Sequence, residues 1–315
     1  MNTPARLSIY GLCLVAAFGG AFAIASAVVP PELAAEHAAA VEGGHGGGHG
    51  EETAEGAVEA ALPGLALASG GYTLQPIDAP HRLGEGGTFE FAIVDTEGEP
   101  LTEYETEHEK DLHLIVVRSD GSEFRHVHPE MGADGTWSID WEWNEAGTYR
   151  AFADFVPHGA EKGITLSRTV LVDGEFEAAP VTAEEREYEV DGYTVSLNGD
   201  LTVGGESTLT AEVTRDGEPV TTIEPYLGAF GHLVALRDGD LAYLHVHPTG
   251  AEPEAGEISG PEVSFATEAP TAGRYLLYFD FQVEGETHSA MFVLTADEAG
   301  HAEAGAAHDD EEDAH

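Results

Sequence analysis

The chain has 315 residues, and its 59 acidic side chains against 12 basic ones give a formal net charge of −47. That length allows about two domains, each able to bury a core, and that charge repels nucleic acid and anionic lipid. The one cysteine, Cys13, sits in an N-terminal apolar run, which excludes an intramolecular disulfide and keeps thiolate chemistry out of the folded part. Any metal site must then be built from His, Asp, Glu or Met. Only two of the basic residues are lysines, Lys110 and Lys162. An acidic, lysine-poor surface of this kind suits solubility in high salt, where screening relieves self-repulsion, and points to a halophilic or salt-tolerant source.

Residues 1–30 carry one positive charge, Arg6, followed by an apolar run from Leu7 to Val29. Its length matches a membrane-spanning helix better than a signal-peptide core. The segment is expected to be an uncleaved anchor, with a signal cleaved near the Ala-Ser-Ala at 25–27 as the alternative. Either version places the rest of the chain outside the cytoplasm by the positive-inside rule. Residues 31–69, rich in Ala, Glu, Gly and His, read as a flexible tether. The acidic, His-containing stretch 297–315 reads as a disordered tail. The histidines of both stretches are either weak metal-capturing groups or solvated bystanders.

Between them lie two segments of one plan, 70–178 and 188–296. Gly98-Glu-Pro-Leu answers Gly217-Glu-Pro-Val, and "HLIVVRSDGSEFRHVHP" at 113–129 answers "HLVALRDGDLAYLHVHP" at 232–248, both at an offset of 119. "AGTYRAFADF" at 146–155 answers "AGRYLLYFDF" at 272–281 after a short insertion. This is a tandem domain duplication. Short alternating strands broken by Gly, Asp and Pro, without helical periodicity, predict an all-β fold: two tandem immunoglobulin-like β-sandwich domains after an N-terminal hydrophobic helix.

The histidine phrase carries the chemistry. Asp120-Gly121 and Asp238-Gly239 are two-residue hairpin turns. Pairing Ser119 with Ser122 sets Ile115 opposite His126 and His113 opposite His128. Pairing Arg237 with Asp240 sets Val234 opposite Tyr243 and His232 opposite His245. In each copy all three histidines then leave one face of the hairpin, at separations from which imidazoles can converge on one ion. The candidate ligands are His113, His126 and His128 in the first repeat and His232, His245 and His247 in the second. Asp154 and Asp280, on a later strand, are further candidates, as fourth ligands or as groups that orient an imidazole. His108 is a candidate in the first repeat only, since Leu227 replaces it in the second. His158 and His288 do not align with each other and rank lower.

"HEKDLHLIVVRSDGSEFRHVHP" resembles the exported YtkA-like domains, immunoglobulin-like sandwiches loosely related to copper-handling CopC-type proteins. The resemblance covers both repeats, with His113, His126 and His128 matching best, although the second repeat has "YLGAFG" at the lead-in. It implies an envelope-located protein that handles metal. The leading expectation is a membrane-tethered protein binding Cu(II), or alternatively zinc, at one His-rich site per sandwich. The alternative is a non-catalytic envelope scaffold, with structural histidines and an envelope protein partner. No nucleophile triad, phosphate loop or dinucleotide fingerprint is present, so catalysis is not expected.

Overall fold

The computed structural model describes residues 62–298 other than 181–182, 245, 251 and 255, and for His247 and Glu298 the backbone alone. The expected anchor, most of the tether and the tail from 299 lie outside the described residues. Among those described there is no helix, and hence none long and apolar enough to cross a membrane.

The first repeat holds β1 (Ala68–Ser69), β2 (Tyr72–Leu74), β3 (Gly87–Val94), β4 (Tyr104–Glu105), β5 (His113–Arg118), β6 (Arg125–Val127), β7 (Glu130–Met131), β8 (Thr136–Trp141), β9 (Gly147–Pro157) and β10 (Ile164–Val172). They form two sheets, β1-β2-β3-β8-β7 and β10-β9-β5-β6, with β4 added to β9. The second repeat holds β11 (Glu187–Val190), β12 (Tyr193–Asn198), β13 (Leu201–Val203), β14 (Glu206–Arg215), β15 (Glu218–Pro219), β16 (His232–Arg237), β17 (Tyr243–Leu244), β18 (Val246–Pro248), β19 (Glu262–Glu268), β20 (Gly273–Val283) and β21 (Glu286–Glu298). Its sheets are β11-β12-β14-β19-β18, with β15 beside β14, and β13-β21-β20-β16-β17. Two tandem sandwiches are thus present, as the strand pattern predicts.

Two kinds of strand build them. In β3 and β14, buried and exposed residues alternate, so each strand shows one face to a core and one to water. In β5, β16 and β20 the buried residues run almost without a break. Such strands are covered on both faces. One face fills the interior of its own sandwich, around Phe89, Phe91 and Trp137 in the first repeat and Phe265, Phe279 and Phe292 in the second. The opposite faces meet each other. Ile115, Val117 and Phe152 of the first repeat and Val234, Leu236 and Tyr278 of the second form a third apolar cluster at the seam, all 3% exposed or less.

The seam contacts are reciprocal. Phe124 stacks on Tyr278 at 3.9 Å between centroids, while Tyr243, the counterpart of Phe124, lies 5.9 Å from Phe152, the counterpart of Tyr278. The Tyr278 hydroxyl donates to the Gly121 carbonyl at 2.6 Å. Residues 63–69, read from the sequence as the end of the tether, are instead bound into the fold. Pro63 accepts the Tyr243 amide at 2.9 Å, and Gly64 accepts the Ser167 hydroxyl at 2.6 Å. Gly64 has φ +72, and a Cβ there would sit 2.6 Å from that of Tyr243, so only glycine lets the strap lie this close.

The hairpin registers agree with expectation in one repeat and depart from it in the other. Ile115 pairs with His126, as predicted. In the second repeat Leu236 pairs with Tyr243 and Ala235 with Leu244, a slip of two residues from the expected partner Val234. The cause is local. Asp240 pairs with Arg237 and accepts the Ala242 amide at 3.1 Å, so the turn takes in residues 238–241, and Leu241 adopts φ 57. A slip of two preserves the face, so His232 stays on the side of Val234 and Leu236.

Leu236→Ala should therefore cost about 2–5 kcal/mol, the range for a fully buried leucine, although Leu236 belongs to neither sandwich interior. Denaturant unfolding of the full chain measures this, and a loss below about 1 kcal/mol would mean that the seam does not hold the repeats together.

Candidate metal centre

At one end of the seam the histidines gather. His113 opens β5, directly opposite Asp154 on β9, and His126 lies in β6. His128 follows just before β7. One ligand nitrogen from each of His113, His126 and His128 lies within 4.8 Å of the other two. His113 Nδ1 is 3.0 Å from His126 Nε2 and 3.0 Å from His128 Nε2. The three ring centroids are 4.8–5.2 Å apart. The sequence-predicted trio of the first repeat is thus brought together, each residue being partly buried.

The outer nitrogens fix the inner ones. His113 Nε2 lies 3.2 Å from the Glu107 carbonyl. A carbonyl only accepts, so Nε2 carries the proton and the neutral ring presents a bare Nδ1 inward. His126 Nδ1 donates to Asp280 Oδ2 at 3.0 Å, with both side chains nearly buried. A neutral His126 likewise turns its Nε2 lone pair inward. Two lone pairs at 3.0 Å repel unless a cation lies between them, either a shared proton or a metal ion.

Burial reinforces this. Desolvation, then the neighbouring imidazole of His126, pulls the pKa of His113 down to about 3 and that of His128 to about 2. His232 is lowered to about 4 for the same two reasons. These rings are neutral at physiological pH, the form in which imidazole binds metal.

The second repeat contributes to the same place. His232 opens β16 opposite Asp280 on β20. Its ring lies 5.3 Å from His108, 5.8 Å from His126 and 6.5 Å from His113. Its Nε2 donates to the Tyr226 carbonyl at 2.8 Å, the same backbone role that Glu107 plays for His113 at an offset of 119. Both carbonyls come from tight turns bridged 107 to 110 and 226 to 229, with His108 and Glu109, or Leu227 and Gly228, at positive φ. The turn survives although "HEK" and "LGA" differ, because what it supplies is a carbonyl. His113, His126, His232, His108, Glu107 and Asp154 line a cavity of about 90 Å³.

The aspartates take different parts. Asp280 orients an imidazole, as one reading of the sequence allows, but the imidazole belongs to the other repeat. Asp154 accepts from Thr165 Oγ1 at 2.8 Å and from the Tyr243 hydroxyl, again across the seam, at 3.4 Å. His108 is exposed on its turn. His245 lies outside the described residues, as does the His247 side chain; the His247 backbone pairs with Ala266 in the opposite sheet. His158 pairs with Glu105 on the surface, and His288 is held by Asp191 between Tyr193 and Phe281. Sequence reasoning missed Glu107, Tyr226 and Tyr243. The carbonyl pair was detectable only as a common offset, and Tyr243 reads as ordinary core.

Fold and site together define a tandem β-sandwich protein with an imidazole cluster on the seam between its repeats. A family model described as a domain of unknown function, DUF8832, matches residues 68–174 and again 188–298, so the chain belongs to that family, in duplicate. It is this family, rather than the YtkA-like or CopC-type domains, that the comparison returns. No curated protein matches the sequence. Among solved structures, the chain is similar to the BSP domain of a biofilm-associated protein (13% identity, TM-score 0.20, covering 72% of this chain and 30% of that one). It is also similar to the integrin-binding protein invasin (16%, 0.21, 72% and 39%) and to fibronectin(III)-like modules of Clostridium thermocellum CbhA (12%, 0.20, 75% and 100%). The chain spans less than half the length of the first two.

The lowered histidines set a pH dependence in chelator-treated protein. The unfolded chain takes up protons below about pH 6.5 while the folded rings stay neutral, so their contribution is full above about 6.5 and falls as pH drops towards the folded values of about 4 for His232, about 3 for His113 and about 2 for His128. Wild type should lose more stability between pH 7 and 5 than His128→Asn does, measured by denaturant midpoints. Parallel pH profiles would mean that His128 is not held neutral by burial.

Proposed function

We propose that the protein is a non-catalytic module carried outside the cytoplasm, in which two sandwiches joined as one body hold a divalent transition metal at their seam. The observation that carries the metal is the inward-facing set of His113 Nδ1, His126 Nε2 and His128 Nε2, with the outer protons of His113 and His126 already committed to Glu107 and Asp280. Ligands at about 2.0–2.1 Å from one ion lie about 2.9 Å apart at a right angle and about 3.3 Å apart at the tetrahedral angle. The two 3.0 Å separations to His113 fall within that range. Imidazole donors suit both metals, and the affinity order favours Cu(II), with zinc the alternative.

The cavity of about 90 Å³ lined by His113, His126 and His232 admits an ion and a few waters. Export is supported by the apolar N-terminal run with its single Arg6. The strong negative charge attracts cations towards the site.

The His126–Asp280 contact favours a second reading, a scaffold in which a shared proton occupies the cluster and the histidines only bind the repeats together. Thermal unfolding separates the two, because a ligand of the folded state must raise its melting temperature. Titration of chelator-treated full chain with Cu(II) should reveal a tight site that is lost in His113→Ala/His126→Ala, leaving only weak binding by the terminal histidines. Equal tight binding by wild type and variant would move the metal to the tails. An unchanged melting temperature with copper or zinc would leave the scaffold.

A further inference from the structure

We propose that His232 of the second repeat is a fourth ligand to the metal held by His113, His126 and His128, so that the ion clasps the two sandwiches together. This rests on the metal reading above and goes beyond it by making the site belong to both repeats.

The donor is prepared in the same way as His113. Its Nε2 proton is committed to the Tyr226 carbonyl, which leaves Nδ1 as the free donor of a neutral ring. Among the described residues that Nδ1 makes no hydrogen bond. His232 is 7% exposed and lines the cavity together with His113 and His126.

Distance is the next test. Two imidazoles bound to one ion at the tetrahedral angle place their ring centres about 5 Å apart. The three histidines of the first repeat already meet this, at 4.8–5.2 Å. His232 stands 5.8 Å from His126 and 6.5 Å from His113, so closure needs it to approach the first by about 1 Å and the second by about 1.5 Å. The rival is His108, 6.2 Å from His113, which the first repeat alone could supply. It sits exposed in the turn, with no hydrogen bond to its ring among the described residues, whereas His232 is buried and locked.

Bridging has a consequence that a site confined to one repeat lacks. An ion whose ligands come from both sides must pull the repeats together, and part of its binding energy becomes seam stability.

The experiment uses the full chain, chelator-treated, titrated with Co(II) as a spectroscopic probe and Zn(II) as a stabiliser. Wild type should give the intense visible bands of four-coordinate Co(II). His232→Ala should bind at least tenfold more weakly with altered bands, while His108→Ala behaves as wild type. Zn(II) should restore the melting temperature of the seam variant Leu236→Ala more than that of Leu236→Ala/His232→Ala. Wild-type bands and affinity in His232→Ala would overturn the bridge while leaving the metal site standing, and so would a loss confined to His108→Ala. Failure of wild type to bind Co(II), Zn(II) or Cu(II) at all would overturn both the bridge and the metal site.

Discussion

Everything at the site depends on two apolar sheet faces being removed from water against each other. Ile115, Val117 and Phe152 on one side and Val234, Leu236 and Tyr278 on the other would stand exposed if the repeats were separate. Burying a large aliphatic or aromatic side chain is worth about 1.5–3 kcal/mol, so the seam outweighs any hydrogen bond at its rim. The histidines occupy the same strand faces one step further along, where the apolar strip gives way to solvent. The packing that hides Ile115 and Val234 therefore also brings His113 and His232 to a common cavity and sets Asp280 against His126.

The cluster resolves a conflict between charge and burial. Burial favours uncharged rings at His113, His128 and His232, and the backbone carbonyls of Glu107 and Tyr226 select which nitrogen of His113 and His232 keeps the proton. Asp280 does the same for His126 with a full negative charge. On the metal reading proposed above, these groups would govern how well an ion is held without touching it, since outer partners fix ligand orientation and basicity.

Much of the fold could be read in the sequence. Alternation in "TFEFAIVD" and "STLTAEVT" gave half-buried strands, the repeated phrases gave the duplication, and the Asp120-Gly121 turn gave the first register. The second register slipped because Asp240 turns back on Arg237, a side-chain contact that turn rules based on backbone type do not contain. The seam was overlooked although its signal was present. "LIVV" at 114–117 and "LVAL" at 233–236 are continuous apolar runs, the mark of a strand covered on both faces. Read as one-faced strands, they left each histidine trio with its own sandwich. Which aspartate serves which imidazole could not be read at all, because His126 and Asp280 are 154 residues apart and meet only through the packing of the repeats.

The reciprocal contacts have one more consequence. Phe124 on Tyr278 and Tyr243 on Phe152 are the two halves of an isologous interface, the kind that two-fold dimers use, here made within one polypeptide. Such an interface is self-limiting. Once the two faces have met, neither is left to accept a third copy, so the duplication makes a closed pair rather than the start of a filament. Any further assembly of this protein has to use other surfaces, and its stability as a pair does not depend on its concentration.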